Sequence, residues 1–200
     1  MKVRVINHMS LDGVIQSPSG LDEDRRGGFG QGGWAVPNND EVMARVMGEG
    51  MAEGGPLLFG RWTYEAFYGY WPNQEDNPIT EVLNASQKYV ASTTLTEPLP
   101  WVNSTLLEGD AAEAVGKLRA QPGGGLGILG SGRLIHSLMR HNLIDEYHLL
   151  IHPIVLGSGL RLFPDGSPIS KLQLVDSVIT TTGVVIATYR PEEPAPGAAS

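Results

Sequence analysis

Residues 123–140, GGGLGILGSGRLIHSLMR, decide the fold of this chain. A glycine run at 123–125 leads into residues 126–129, a short apolar segment of strand length. Residues 130–132, Gly-Ser-Gly, then open a helical pattern. Its apolar positions recur at helical spacing: Leu134, Ile135, Leu138 and Met139. The stretch predicts a strand, a tight turn and a helix in direct succession.

The turn between this strand and helix has the properties of an anion-binding site. A strand that turns through small residues into a helix leaves backbone N–H groups unpaired, with the positive end of the helix dipole behind them. Glycines allow a ligand to approach the backbone closely, since they have no Cβ. We expect a phosphate or pyrophosphate to bind at Gly130, Ser131, Gly132, Arg133 and Leu134.

Two other interpretations of the glycines were weighed. Residues 125–130 match G-x-G-x-x-G, but that dinucleotide fingerprint should follow a strand and open a helix. Here residues 121–124, Gln-Pro-Gly-Gly, precede it and the strand lies inside the motif, so we reject a Rossmann site. The second alternative, that the glycines only form a tight strand-to-helix turn, stays open.

Composition excludes several classes of partner. The 200 residues carry a formal charge of -8, and Lys and Arg form no cluster. Nucleic acid and anionic membranes are therefore not expected as partners. An anionic cofactor remains compatible with the charge, because a pocket can be locally positive in an acidic protein. There are no cysteines, which excludes disulfides and thiolate chemistry.

Length and the two termini suggest one domain. The N-terminus enters a strand directly, with no signal-peptide pattern and no apolar run of about 18 residues. We expect a cytoplasmic, soluble protein with one domain at residues 1–190. Residues 191–200, PEEPAPGAAS, have no core-forming pattern and are predicted to be a disordered tail.

The order of predicted elements defines the fold class. Strands are predicted at 3–6, 56–60, 89–92, 101–106, 126–129, 144–153, 172–177 and 184–189. Helices are predicted at 38–51, from 61, at 110–120 and from 130, with a long loop at 17–33. Early alternation followed by consecutive strands predicts a three-layer α/β fold. Its sheet is mostly parallel, with an antiparallel C-terminal edge and helices on both faces.

Three strand ends carry groups that suit a dinucleotide. Residues 60–63 supply a guanidinium and a hydroxyl, residues 92–94 are three hydroxyl residues, and residues 130–133 form the turn described above. Ligands of open α/β sheets lie at the carboxyl ends of the strands. N–H groups, hydroxyls and Arg forks are what a dinucleotide phosphate requires.

Segments in this order resemble the dihydrofolate reductase-like family: SLDG (10–13), a Gly-rich loop ending GGW (32–34), GRWTYE (60–65), YVAST (89–93), LGSGRL (129–134) and IDEYHLLIHPIVLGSGLRLF (144–163). The chain is most similar to stand-alone proteins resembling the reductase domain of riboflavin biosynthesis. That domain is the C-terminal part of a bifunctional deaminase-reductase and reduces 5-amino-6-(5-phosphoribosylamino)uracil. The resemblance covers residues 1–190 and implies an eight-stranded mixed sheet and NADPH-dependent reduction.

The resemblance also implies roles for individual residues. Those assigned to NADPH are Gly60, Arg61 and Thr63 at its phosphates, Ser92 and Thr93 at its adenosine end, and Gly130, Ser131, Gly132, Arg133 and Leu134 at its pyrophosphate. Asp12 is the expected catalytic residue, beside the nicotinamide and the substrate, although it could simply form the turn after the first strand.

Departures from the family pattern leave the substrate open. Leu129 stands where the riboflavin-pathway reductase has a substrate-binding glutamate, and no basic residues match those that would grip a ribose phosphate. Asp40 and Glu41 are better explained as dipole partners of the first helix than as the buried acid of dihydrofolate reductase. We expect a reductase of a pterin- or pyrimidine-like heterocycle. The alternative is a non-catalytic protein on the same scaffold that binds a nucleotide or small ligand.

Aromatic residues near the expected cleft are candidates for stacking on that heterocycle. The substrate-binding candidates are Trp34, Tyr64, Phe67 and Trp71, and core packing is the alternative for each. Arg25 and Arg26 could hold an anionic group of the substrate or be a solvated pair.

Two further expectations concern metals and association. Glu146, His148 and His152 share a strand face but lack a second ligand cluster, so no metal is expected. The segments 147–153 and 154–163 are more apolar than one edge of a small sheet needs. Together with the resemblance, this predicts a C₂ homodimer.

Overall fold

The computed structural model describes residues 1–192, which form eight strands and five α-helices. The strands are β1 (Lys2–Ser10), β2 (Leu57–Gly60), β3 (Lys88–Ala91), β4 (Ser104–Leu107), β5 (Gly125–Leu129), β6 (Glu146–His152), β7 (Leu172–Ile179) and β8 (Val185–Pro191). The α-helices are α1 (Glu41–Ala52), α2 (Arg61–Tyr70), α3 (Pro78–Ala85), α4 (Ala111–Arg119) and α5 (Gly132–Arg140). No helix within the described range is long and apolar enough to cross a membrane.

All eight strands join one sheet in the order β4-β3-β2-β5-β1-β6-β8-β7. The pairs from β4 to β6 are parallel, whereas β8 runs antiparallel to both β6 and β7. The predicted α/β fold with an antiparallel C-terminal edge is therefore confirmed. Strand β1 lies between β5 and β6, near the middle of the sheet.

The helices cover both faces of the sheet. On one face, α4 and α5 pack on β1 and β5 through residues including Val115, Ile135, Leu138, Val5 and Ile128. On the other face, Met43 of α1 packs near β6 and β8, while Tyr64 of α2 and Leu83 of α3 pack near β2 and β3. A groove remains between α1 and α2, and Gly127 of β5 lies at its floor. Because glycine has no side chain, the groove is deeper at this point.

Several boundaries differ from the sequence prediction. Helix α3 was not predicted, although Asn77 caps it and Pro78 occupies its first position, both typical signals of a helix start. The fourth strand begins only at Ser104, because Asn103 adopts a left-handed turn conformation with φ 56°. Strand β8 reaches Pro191, and residues 193–200 of the predicted tail lie outside the described residues.

The apolar segment that suggested an exposed edge is in fact an interior strand. Strand β6 pairs with β1 on one side and β8 on the other, and most of its side chains are buried. Its apolar character therefore follows from burial and gives no support to a dimer. The exposed edge is β7, most of whose side chains are exposed.

Candidate active site

A cleft of about 1980 Å³ follows the groove between α1 and α2 and extends to the carboxyl ends of β1, β2, β3 and β5. It is lined by every residue predicted to bind a cofactor: Gly60, Arg61, Thr63, Ser92, Thr93, Gly130, Ser131, Gly132, Arg133 and Leu134. Parallel strands end at one edge of the sheet, which explains why turns distant in sequence meet here. The structure thus brings the three predicted turns to one site.

Ser131 joins two of these turns. Its backbone N–H donates to Thr63 Oγ at 2.9 Å, and its own Oγ accepts from the backbone N–H of Gly60 at 2.9 Å. The Ser131 hydroxyl in turn donates to the Leu129 carbonyl at 3.2 Å. The Ser131 hydroxyl is therefore fully used within the protein, while the Thr63 hydroxyl keeps its proton free to donate. Hydrogen bonds within the protein fix the turn before any ligand binds.

Tight packing around the glycines requires residues without a side chain. Gly130 has φ 58°, and a Cβ there would lie 3.2 Å from Thr63 Oγ. A Cβ on Gly132 would approach Leu160 Cδ2 to 2.7 Å and Ile15 Cδ1 to 3.0 Å. The turn thus packs against both the β2–α2 turn and residues that follow β1.

The two helices that begin in this turn cluster lack caps. Helices α1, α3 and α4 have capping side chains, Asp40, Asn77 and Asp110, which accept from first-turn N–H groups. Helix α2, preceded by Gly60, and helix α5, preceded by Ser131, have no capping side chain and no acid in the first turn. Their first-turn N–H groups and positive dipole ends are left for an anion.

Basic side chains accompany these two helix starts. Arg61 and Arg133 lie in the first turns of α2 and α5 and line the cleft. The Arg61 guanidinium lies 4.9 Å from the centre of the Trp62 ring, and its Nη1 is 3.7 Å from Glu65 Oε1. Two guanidinium groups therefore stand beside the uncapped helix starts.

The hydroxyl cluster after β3 forms a turn at the edge of the cleft. Ser92 Oγ accepts from the backbone N–H groups of Thr94 at 3.1 Å and Leu95 at 3.0 Å. Thr93 is exposed beside it and also lines the cleft. Thr93 therefore borders the space in which we predicted the adenosine end of a dinucleotide.

Asp12, the predicted catalytic residue, does not line the cleft in this structure, and its catalytic role stays a prediction. Its carboxylate accepts from the Ser10 hydroxyl and from the backbone N–H groups of Leu156 and Gly157. These hydrogen bonds, the Ser10 hydroxyl first, lower the pKa of Asp12 to about 2. The geometry fits the alternative interpretation, because Asp12 joins the turn after β1 to the segment after β6.

Two of the four predicted stacking residues are core residues instead. Trp34 is 7% exposed, and its Nε1 donates to the Gln16 carbonyl at 2.8 Å. Tyr64 is 1% exposed, and its hydroxyl accepts from the backbone N–H of Trp101. The polar atom of each side chain thus forms a hydrogen bond inside the fold. Phe67 and Trp71 do line the cleft, along the α2 side.

The long loop at 17–33 is packed rather than extended. Phe29, 6% exposed, joins a buried cluster with Val14, Trp34 and Leu156. Residues 17–20 form part of the cleft wall. The loop therefore borders the site.

The two adjacent arginines of the loop are both already paired. Arg25 pairs with Asp22, and Arg26 pairs with Asp24. Arg26 also stacks over Trp62, with its Cζ 4.5 Å from the centre of the ring. Neither guanidinium is left without an anionic partner to hold a substrate.

A pair of histidines at the cleft floor was missed by the sequence analysis. His8 of β1 lines the cleft, and its Nδ1 lies 2.8 Å from Nε2 of His152 of β6, which is fully buried. Burial, with the neighbouring His152, lowers the pKa of His8 to about 4, and burial lowers the pKa of His152 to about 4. Only the pairing of β1 with β6 reveals this contact.

The amino end of the groove carries an ionic network. Glu146, whose side chain is 6% exposed, accepts from Arg4 at 2.6 Å and from Arg190 at 2.9 Å. His148 Nδ1 lies 2.9 Å from Thr188 Oγ. Across residues 1–192, no group of three or more His, Cys, Asp or Glu side chains could hold a metal ion.

A model of the RibD C-terminal domain family matches residues 1–186. The uncharacterized protein YyaP of Bacillus subtilis is 33% identical over 141 residues, which cover 66% of this chain and 72% of that protein. The uncharacterized protein YwjB of Bacillus subtilis is 31% identical over 70 residues, 35% of this chain and 40% of that protein.

Solved structures share the fold. A structure named "Putative riboflavin biosynthesis protein", from Shewanella sp. PV-4, has a TM-score of 0.71 at 22% identity and covers 96% of this chain and 100% of its own. A pyrimidine reductase-like protein from Corynebacterium diphtheriae has a TM-score of 0.63 at 15% identity and covers 96% of this chain and 92% of its own. At these identities the likeness concerns the fold alone.

Proposed function

The chain belongs to the RibD C-terminal domain family, a reductase-like family, and we propose that it is an NADPH-dependent oxidoreductase. Its substrate in this proposal is a small pterin- or pyrimidine-like heterocycle. The fold and the cleft at the strand ends agree with a reductase-like role. NADPH, when bound, supplies the hydride; the protein residues bind, orient and exclude water.

One observation carries the proposal for a dinucleotide. The uncapped, basic starts of α2 and α5 meet at one point, joined by Ser131, while the other three α-helices have side-chain caps. Two helix dipoles and free N–H groups that converge in this way suit a pyrophosphate. In this arrangement Gly130 to Leu134 hold the pyrophosphate, and the Thr63 hydroxyl donates to a phosphate oxygen.

The neighbouring residues would then orient the two ends of the cofactor. Ser92 and Thr93 border the cleft beyond α2 and would contact the adenosine end. Arg61, at the start of α2, lies between the turn after β3 and the turn after β5 and would hold the 2′-phosphate that distinguishes NADPH from NADH. The nicotinamide end would extend along the groove toward β1 and α1.

The walls of the remaining groove suit a flat ring. Phe67 and Trp71 of the α2 side and Met43 and Met47 of α1 line it with apolar surface. Such walls with a few polar groups between them are typical of sites for small heterocycles. The substrate would lie between these walls, with its reacting end toward β1.

Thermal stability with cofactor tests the proposal. A ligand that binds only the folded state stabilises it, so NADPH should raise the melting temperature. The rise should be larger than with NADH, because only NADPH has the 2′-phosphate that Arg61 would hold. Loss of NADPH absorbance with a pterin or a pyrimidine would then show turnover. A thermal shift by NADPH without oxidation by any heterocycle would favour the non-catalytic binding protein. The absence of a shift with either nucleotide would contradict both.

A further inference from the structure

His152 is enclosed completely, and one of its two ring nitrogens has no partner. It is 0% exposed, and the Trp34 ring packs edge-on against it, with 5.3 Å between ring centres. Its Nε2 contacts His8 Nδ1 at 2.8 Å, whereas its Nδ1 is buried without a hydrogen-bond partner among the described residues. This orphaned atom determines which tautomer the pair adopts.

The hydrogen bond between the two rings allows two neutral arrangements. If His8 donated, His152 would carry its proton on the orphaned Nδ1, and a buried N–H would lack an acceptor. If His152 donates from Nε2, its Nδ1 is a bare acceptor, which buried groups tolerate better than an unpaired N–H. The second arrangement is therefore favoured. It requires His8 to accept at Nδ1 and to carry its own proton on Nε2.

The Nε2 of His8 is available to a ligand. His8 lines the cleft, and within residues 1–192 its Nε2 has no hydrogen-bond partner. The preceding residue, Asn7, donates from its side chain to the Gly130 carbonyl at 3.4 Å, so the end of β1 is tied to the glycine turn from the face of the strand opposite His8. The apolar residues Ile6 and Leu150 line the cleft beside it. His8 is thus a fixed donor set in an apolar wall.

We propose that His8 is a catalytic residue, held as the Nε2–H tautomer by His152, which donates a hydrogen bond to the heteroatom of the substrate bond that is reduced. The substrate must then present a carbonyl oxygen or an imine nitrogen toward β1. This inference rests on the proposed reductase function and names the part of the substrate that the site recognises. His152 is a positioning residue, because it acts only through His8.

The chemical step balances without any further reactant than the nicotinamide cofactor and water. A hydride, with its two electrons, leaves the dihydronicotinamide ring and forms a C–H bond at the substrate carbon, so the cofactor is oxidised and the substrate reduced. The π electrons of the C=O or C=N bond move to the heteroatom. The His8 N–H stabilises the negative charge that develops there, and water supplies the proton.

Nitrogen-15 NMR of labelled histidines tests the tautomer without any substrate. His8→Gln and His152→Gln variants assign the signals of the pair, and His141→Gln is the control, since His141 is an exposed residue at the end of α5. At neutral pH we expect both rings of the pair to be neutral, with His8 protonated on Nε2 only. The reverse tautomer, with the proton of His152 on Nδ1 and that of His8 on Nδ1, would overturn the proposal.

The same signals test recognition of the substrate. In the NADP⁺-saturated protein, uracil or a pterin at millimolar concentration should shift the His8 Nε2 resonance. Benzene-1,3-diamine, which has the size of uracil but no carbonyl, should not. If neither carbonyl compound moves the resonance, or if the diamine moves it equally, His8 is not the proposed donor.

Turnover separates this inference from the proposed function. Removal of one such donor, in His8→Phe, should lower kcat by roughly 10²-fold with unchanged NADPH affinity. His8→Gln, which retains an N–H donor, should keep part of the activity, and His141→Gln all of it. Full activity in His8→Phe would overturn the role of His8 and leave the reductase proposal intact. No binding of NADPH to wild type would overturn the reductase function, while the tautomer result would stand.

Discussion

Ser131 positions backbone groups for the proposed ligand, while its own hydroxyl is hydrogen-bonded within the protein. It adopts φ 59°, a left-handed conformation that is unfavourable for serine. Three hydrogen bonds, to Gly60, Thr63 and Leu129, hold it there. Its neighbours Gly132 and Arg133 thereby begin α5 in a fixed orientation. At this scale the proposed phosphate site consists of backbone groups positioned by side chains.

Arg61 gives the proposed cofactor preference a direct test. Arg61→Ala should weaken NADPH binding by ~1–3 kcal/mol, the value of a lost charged hydrogen bond, and NADH binding much less. Isothermal titration with both nucleotides measures the difference. Arg45→Ala, which removes an exposed arginine of α1 that does not line the cleft, is the matched control. Equal weakening of both nucleotides would assign Arg61 to the pyrophosphate or to the fold.

The histidine pair predicts a pH dependence of stability. The pKa of His8 and of His152 falls from 6.5 to about 4, so between these pH values the unfolded chain binds more protons than the folded protein. The free energy of unfolding should therefore decrease by several kcal/mol as the pH falls from 6.5 to about 4. Urea denaturation across this range measures it.

Asp12 and Asp40 act in a lower pH window than the pair, whereas His148, whose pKa burial also lowers from 6.5, acts in the same window. The pKa values of Asp12 and Asp40 fall from 3.8 to about 2, so their contribution is lost only below pH 3.8. A His152→Phe variant should lose the part of the pH dependence above that value that His152 contributes, while His8, whose pKa is lowered first by its own burial, keeps its part. A wild-type stability that stays constant between pH 6.5 and about 4 would contradict neutral burial of the pair.

At the scale of elements, the strand-to-helix turns were predictable and the contacts between side chains across strands were not. Glycines, hydroxyls and arginines after short apolar runs indicate turns, and parallel strands bring such turns to one edge of the sheet. The contact of His8 with His152 depends on the register of β1 against β6, in which Ser10 lies opposite His152. No local pattern specifies that register.

The packing of the loop at 17–33 was likewise not predictable from a local sequence pattern. Its sequence has no periodicity, so the burial of Phe29 and Trp34 could not be inferred from it. Asp12 was selected because it lies in a motif at a strand end. Only the fold shows that its carboxylate points to the segment after β6. Motifs predicted where the site lies, and packing decided which side chains face it.

The contact of the loop with α2 predicts a change in loop dynamics. Trp62, which is 49% exposed, lies under the guanidinium groups of Arg26 from the loop and Arg61. Exposed cation–π contacts contribute ~0.5–1 kcal/mol, so Trp62→Ala should speed hydrogen exchange in residues 22–28 about 2- to 5-fold. Mass spectrometry measures this, and α4 is the internal control.

Ligand binding should act on the loop in the opposite direction. Residues 17–20 line the cleft, so exchange across residues 17–34 should slow when NADPH and a substrate are added together. If exchange there is unchanged both by Trp62→Ala and by ligands, the loop is an inert surface segment.

At the scale of the whole molecule, one end of the sheet is left uncovered. Within residues 1–192, strand β7 pairs only with β8, and most of its side chains are exposed. Leu174 is 51%, Val175 45% and Ile179 72% exposed. A β-bulge between Leu174 and Asp176 interrupts the ladder, which discourages continuous strand pairing at this edge. Contact through the apolar side chains of β7 therefore suits association better than extension of the sheet.

We accordingly predict a C₂ homodimer that buries β7, and the prediction can be tested in solution. Light scattering at micromolar concentration should give twice the monomer mass of 21.5 kDa. Val175→Lys and Ile179→Lys should each shift the mass toward the monomer, because a charge buried without a partner opposes association. Val102→Lys, an equally apolar and 57% exposed residue just before β4, near the opposite edge of the sheet, should leave the dimer intact. A wild-type monomer would refute the dimer. A dimer unaffected by the lysines in β7 would show that the interface lies elsewhere on the molecule. Because β7 lies at the far end of the sheet from β2 and β3, NADPH affinity should be the same in all three variants.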